Sequence, residues 1–413
     1  LHANPELSFE EHETAAKLAK RMRDLGFEPC KADADVWMRV AVDTTKAPDA
    51  SGERQIGGTT VDGEPAGERY YEYVLIHTDD VMVASRRSAQ ILDSIDSVYK
   101  LKVDKKTGKS HGPPDIYLGS KIHRWRSKDA DKDDPYYWST SGDHYCEKVV
   151  QDVQKALMAH GRELHANRKS IFDPGHRPEL DVSPELDAEN ANYFQELIGI
   201  LRWAIELGRI DIALEVSLLS RHLAMPRRGH LEMCFNVFAF LKAKPTLKLV
   251  MNPERMYLDE DFSGSFSKKP MEDWHEFYGD VKEEVPPNAP PAYGKPVEVN
   301  AWVDADHAGD RLTRRSHTGI TIFLNSSPTI WYTKRQATIE SSTFGSEAVA
   351  LRTLLEMIKA LRYKLRMLGV PLVGPAIVFG DNQSVVNGAS VPENKLNKKH
   401  LGVCYHAVRE ATA

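Results

Sequence analysis

Residues 297–387 constrain this chain more than any other stretch, because their hydrophobic period changes in an order that few folds satisfy. Residues 297–303 alternate with period two, setting Val299, Ala301 and Val303 on one face and Asn300, Trp302 and Asp304 on the other. Residues 320–324 and 329–332 are two further strand-like runs, separated by a compact turn at 325–328. Residues 344–368 then switch to helical spacing, with Ala348, Leu351, Leu355, Ile358, Leu361 and Leu365 in one stripe, and residues 376–379 are a last strand. Asp304 ends the first strand, Glu347 lies in the first turn of the helix and Asp381 follows the final strand. A sheet in this order can bring the three carboxylates to one edge. Such an oxygen-rich site selects Mg²⁺ or Mn²⁺, and a two-metal site of this kind suits phosphodiester hydrolysis. Asp306 would share the face of Asp304 if the strand ran on, but Ala308 and Gly309 point to a turn. Asp306 is therefore read as secondary and Asp310 as a loop residue.

Charge placement fits a polyanionic substrate. The whole chain carries a net charge of −6, yet residues 301–413 hold 14 Lys and Arg against 9 Asp and Glu. No apolar run is long enough to cross a membrane and no basic-then-apolar leader opens the chain, which implies an intracellular protein, cytoplasmic or nuclear. Cys30, Cys146, Cys234 and Cys404 lie far apart without a C-x-x-C pair, so they are expected to be scattered reduced thiols.

Residues 1–29 predict a capped amphipathic helix. Ser8 is the N-cap candidate with Glu11 three residues on, Ala15, Leu18, Ala19, Met22 and Leu25 form the stripe, and Gly26 ends it. The segment resembles the opening of the amidohydrolase and carboxypeptidase metallopeptidases, without the metal-binding motifs of that family. Residues 43–68 are rich in Gly, Pro and Asp and read as a loop. The run YYEYVLIHTDDVMVAS follows, with strands at 73–76 and 81–84 and His77, Thr78, Asp79 and Asp80 as the turn of a hairpin.

That hairpin resembles the Y-V-D-D motif of reverse transcriptases. Together with DADVWMR at 33–39, IYLG at 116–119 and the helical stretch 193–242, it is similar to the Pol polyprotein of copia-type retrotransposons, from about residue 31 to the C-terminus. The resemblance implies an α+β multidomain chain: a partial reverse transcriptase palm and thumb/connection over 30–251, an acidic, proline-rich linker over 252–296, and an α/β ribonuclease H-like domain over 297–413. In that domain the family's carboxylates match Asp304, Glu347 and Asp381 one for one, and VDADHAGD, SSTFGSEAVAL, GDNQS and KKHLGVCYHAVRE resemble the copia-type version. The implied cofactor is Mg²⁺ or Mn²⁺, held by those three residues and, in the palm, by Asp79 and Asp80. The implied partners are an RNA–DNA hybrid, with RNA template and DNA strand, and the upstream polymerase segments of the polyprotein.

Gln383 and Ser384 are candidate contacts to the 2′-hydroxyls of an RNA strand, and Arg202 and Arg221 are candidate phosphate contacts. The family's earlier catalytic Asp should precede Cys30 and is absent, so the polymerase site is expected to be incomplete. Its fourth nuclease carboxylate, in an A-D-x-x-T-K segment, would lie beyond Ala413. The leading expectation is thus Mg²⁺-dependent hydrolysis of RNA in hybrids. The alternative is a catalytically inactive retroelement relic or nucleic-acid-binding module.

Overall fold

The computed structural model describes residues 12–43, 67–77, 80–103, 107–127, 134–257, 278–279, 282–391, 396 and 401–412, and the N-cap candidate Ser8 lies outside them. The chain is a mixed α and β structure with several antiparallel sheets. It divides into two compact units. The first comprises residues 1–118, 284–297 and 360–373, and the second 119–283, 298–359 and 374–413.

In the first unit, helix α1 (His12–Asp24) ends before Gly26, whose φ of +79° is the left-handed conformation that glycine adopts at least cost. Strands β1 (Glu28–Pro29), β2 (Val36–Asp43), β3 (Glu68–His77) and β4 (Asp80–Ala84) form an antiparallel sheet in chain order, followed by helix α2 (Ser88–Tyr99) and the short strand β5 (Ile116–Tyr117). Period-two alternation gives the sheet two apolar faces. Trp37, Val74 and Ile76 pack with Met22, Phe27, Ile91 and Ile95 on one side. Met38, Tyr71 and Tyr73 pack with Cys30 and Met367 on the other. The β3–β4 ladder runs down to a His77–Asp80 pair, so both strands reach further toward the hairpin tip than the residue pattern predicts.

Two tyrosines of β3 fix distant segments to this unit. Tyr71 Oη donates to the Pro291 carbonyl at 2.8 Å, and Tyr73 Oη donates to the Leu368 carbonyl at 2.7 Å. Glu72, fully buried, is compensated by Arg39 at 2.7 Å, Arg87 at 3.2 Å and the Ser85 hydroxyl at 2.6 Å.

The second unit holds a helical region and two sheets. Strands β6 (Ser120–Trp125), β7 (Tyr137–Ser141) and β8 (Leu249–Met251) are antiparallel neighbours. Helix α3 (Asp143–Met158) buries Val149, Val150, Val153 and Leu157 along one face. These side chains join a core with helices α4 (Ala188–Glu206), α5 (Ala213–Leu219) and α6 (Arg228–Ala243), built on Phe194, Leu197, Leu201, Val216, Leu219 and Phe238. Asp187 caps α4 by accepting from the Asn190 backbone N–H at 2.9 Å. Cys146, Cys234 and Cys404 are buried in this unit and Cys30 in the first, all four as free thiols.

The second sheet of this unit is made by β9 (Val299–Ala305), β10 (His317–Leu324), β11 (Ser327–Arg335) and β12 (Ile377–Phe379), in the order β11-β10-β9-β12. Helix α7 (Thr343–Met367) joins β11 to β12, and α8 (Gln383–Ser390) and α9 (Gly402–Thr412) follow. Three strands, a helix and a fourth strand is the element order predicted from the periodicity; the first three pair antiparallel and the fourth runs parallel to the first. Val299, Ala301, Val303, Ile320 and Ile322 are buried, as are Ala348, Leu351 and Ile358 of α7.

Candidate metal centre

Parallel pairing of β12 with β9 sets Phe379 opposite Trp302, so Asp381 and Asp304, each two residues further on, lie at the same end of the sheet. The rings below them stack, with centroids 4.7 Å apart and an interplanar angle of 16°. Glu347 arrives from another direction. It sits near the N-terminus of α7, just past the first turn, and Ser342 Oγ accepts from the Gly345 N–H at 3.2 Å and fixes the start of the helix. One carboxylate oxygen from each of Asp304, Glu347 and Asp381 lies within 4.8 Å of the others, the one such metal-ligating group among the described residues.

The electrostatics of this group are unresolved by protein charges alone. Glu347 Oε1 accepts from the Ala305 backbone N–H at 3.3 Å. Burial, followed by the like charges of Asp304 and Asp381, nevertheless pushes its carboxyl from 4.5 up to about 7. The groove over the site has a volume of about 1170 Å³, and no Lys or Arg lines it among the described residues. A divalent cation with oxygen ligands therefore fits these residues, because it would replace mutual repulsion by attraction and match their hard donor set.

Gln383 and Ser384 are exposed in the first turn of α8, directly after Asp381, with Asn382 capping that helix. Gln383 Nε2 donates to Asn387 Oδ1 at 2.8 Å. Arg202 is exposed on α4. Arg221 has a side chain only 12 % exposed and donates to Asp310. Asp80, on β4, accepts from the Leu118 backbone N–H at 3.3 Å, and Asp79 lies outside the described residues.

Asp306 lines the groove, with Oδ1 accepting from the His317 backbone N–H. Asp310 is the residue that the sequence reading undervalued. Its fully buried carboxylate accepts from Arg221, from Arg335 at 2.9 Å, and from the backbone N–H groups of Leu312 and Thr313 at 3.0 and 2.9 Å. Arg221 is 89 residues away, so no local spacing could have announced the pair.

Comparison with known proteins adds an independent line. The Retrovirus-related Pol polyprotein from transposon RE1 of Arabidopsis thaliana is 20 % identical over 339 residues, 82 % of this chain. The corresponding polyprotein from transposon TNT 1-94 of Nicotiana tabacum is 25 % identical over 354 residues, 83 % of this chain. The chain is a relative of copia-type retrotransposon Pol polyproteins. A putative transposon Ty5-1 protein of Saccharomyces cerevisiae is 28 % identical over 170 residues, covering 41 % of this chain and 48 % of that protein. This Pol-related chain spans 19 % of the RE1 polyprotein and 22 % of the TNT 1-94 polyprotein. No family model and no solved structure matches it. Among the described residues, no helix of this Pol relative is long and apolar enough to cross a membrane.

Proposed function

We propose that this Pol-related chain carries a ribonuclease H-like domain over residues 297–413, preceded by partial reverse transcriptase palm and thumb/connection segments over 30–251, and that it hydrolyses the RNA strand of an RNA–DNA hybrid. The observation that carries this reading is the convergence of Asp304, Glu347 and Asp381, from two strand ends and a helix start, at one end of a mixed sheet. Those three residues would hold Mg²⁺ or Mn²⁺. Such an ion, when bound, activates water and stabilises charge on a phosphodiester.

The chain's own groups do the rest. Asp304 and Asp381, both exposed, present carboxylate oxygens to the groove, while buried Glu347 is fixed from behind by the Ala305 N–H. Because the Glu347 carboxyl is pushed up to about 7, it gives up a proton when a cation takes the site, and occupancy rises with pH. Gln383 and Ser384, beside Asp381, are the proposed donors to the 2′-hydroxyls that distinguish RNA from DNA. Arg202, exposed on α4, is the proposed phosphate contact.

The test is Mg²⁺-dependent cleavage of a labelled RNA–DNA hybrid by the full chain, beside Asp304→Asn and Glu347→Gln. Cutting by the wild type alone supports the assignment, and equal cutting by all three proteins sinks it. Binding of the hybrid without cutting by any of them would favour a non-catalytic binding module.

A further inference from the structure

The loop 306–316 between β9 and β10 is held more tightly than a connection needs. Ala308 and Arg314 adopt φ values of 53° and 56°, a backbone region that non-glycine residues enter at a cost and keep only where their surroundings over-determine it. The loop's own groups account for its shape. The Ala308 N–H donates to Ser316 Oγ at 3.0 Å, and the Leu312 and Thr313 N–H groups donate to Asp310 Oδ1 at 3.0 and 2.9 Å. The Asp306 and Asp310 N–H groups donate to the His317 and Arg315 carbonyls at 3.1 and 3.2 Å.

Two further bonds come from the helical region of the same unit and contribute nothing to the turn itself. Arg221, just after α5, donates to Asp310 Oδ2, and Glu179 Oε1 accepts from the Arg311 N–H at 3.1 Å. These bonds fix where the turn sits. The loop begins one residue beyond Ala305, whose N–H holds Glu347 Oε1, and two residues beyond Asp304.

We propose that Arg221 is a positioning residue of the metal centre, acting through Asp310 to hold the end of β9 and thereby the Asp304 carboxylate and the Ala305 N–H in register with Glu347 and Asp381. Arginine suits the task because its planar fork keeps direction as well as charge, and a buried, charge-assisted bond to a carboxylate is short and strong. Arg335, on β11, also donates to Asp310, at 2.9 Å, so Arg221→Ala leaves that carboxylate one ion-pair partner while removing its bond to the helical region. The inference rests on the metal-binding reading of Asp304, Glu347 and Asp381.

Mn²⁺ binding to the full chain, followed by isothermal titration without nucleic acid, separates the two claims. Arg221→Ala should weaken Mn²⁺ binding by roughly 10- to 100-fold, as the loss of outer groups that orient metal ligands does. Arg221→Lys should fall between it and the wild type. Millimolar guanidinium should restore binding to Arg221→Ala and leave wild type unchanged, a response that general destabilisation would not give. Arg352→Ala, which removes the exposed pair with Glu356 on α7, should bind as wild type does. If circular dichroism shows Arg221→Ala unfolded, the lysine variant decides, and wild-type affinity in it overturns the positioning role. Wild-type affinity in a folded Arg221→Ala does the same. If wild type itself takes no Mn²⁺, the metal reading falls and the positioning role falls with it.

Discussion

Asp79 and Asp80 are neighbours in sequence, whereas Asp304, Glu347 and Asp381 are scattered through three elements. Among the described residues, which exclude Asp79, the scattered set converges on one point. Adjacent residues of an extended chain send their side chains to opposite faces, so one strand supplies a given face with only alternate carboxylates. Asp80 accordingly sits on β4, paired with His77 and bonded to the Leu118 N–H. Two parallel strand ends and a helix start bring one carboxylate each to a common point, where burial first and the like charges of Asp304 and Asp381 after it raise the pKa of Glu347. Proximity in space comes here from the order of elements, not from proximity along the chain.

The largest effect should come from breaking the convergent set. Asp304→Asn or Asp381→Asn should lower hybrid cleavage by on the order of 100-fold or more, beyond the 10- to 100-fold typical of residues that only orient ligands. Primer extension on the same template should give no product. A product that disappears in Asp79→Asn would overturn the contrast between the two acidic groups.

A second effect is on stability. The folded-state pKa of Glu347 lies above its unfolded value, so the metal-free native state binds more protons between pH 4.5 and about 7. Stability contributed by the protonated carboxyl is therefore fully present below about 4.5 and is lost as pH rises through 7. In EDTA, Glu347→Gln should melt at a higher temperature than wild type at pH 8, with the gap closing by pH 5. A melting difference independent of pH would contradict the coupling. With Mn²⁺ present, wild type alone should gain in melting temperature, rising with the logarithm of free metal above its Kd.

Smaller changes probe the proposed nucleic-acid contacts. Gln383→Ala should reduce the preference for an RNA strand over DNA while leaving Mn²⁺ affinity within a few-fold of wild type, checked by cleavage of matched substrates. The slightest effect is expected from Arg202→Ala, which should lower the salt dependence of hybrid binding by about one phosphate contact, in a log–log plot of affinity against salt.

The element order around the carboxylates was legible because alternation and helical spacing each persist for several residues in 297–387. The Asp310 cluster was not, since a buried ion pair between residues distant in the chain leaves no periodic trace. The same holds for the contacts that Tyr71 and Tyr73 make with backbone carbonyls of Pro291 and Leu368. A proline-rich composition signals an extended chain and is silent about what that chain lies against. Strand ends near the β3–β4 tip also escaped, because His77 and Asp80 have polar side chains while their pairing is a property of the backbone.

The four cysteines turn the fold into its own reporter. Each thiol is shielded from water, Cys30 in one unit and Cys146, Cys234 and Cys404 in the other. A soluble alkylating reagent can reach them only when the surrounding structure opens. Pulse labelling followed by peptide mapping would therefore time the opening of each unit separately, on the unmodified chain. Comparing Cys404, whose Sγ donates to the Ala348 carbonyl at 3.1 Å, with Cys146 and Cys234 would show whether the packing against α7 loosens before the helical core does.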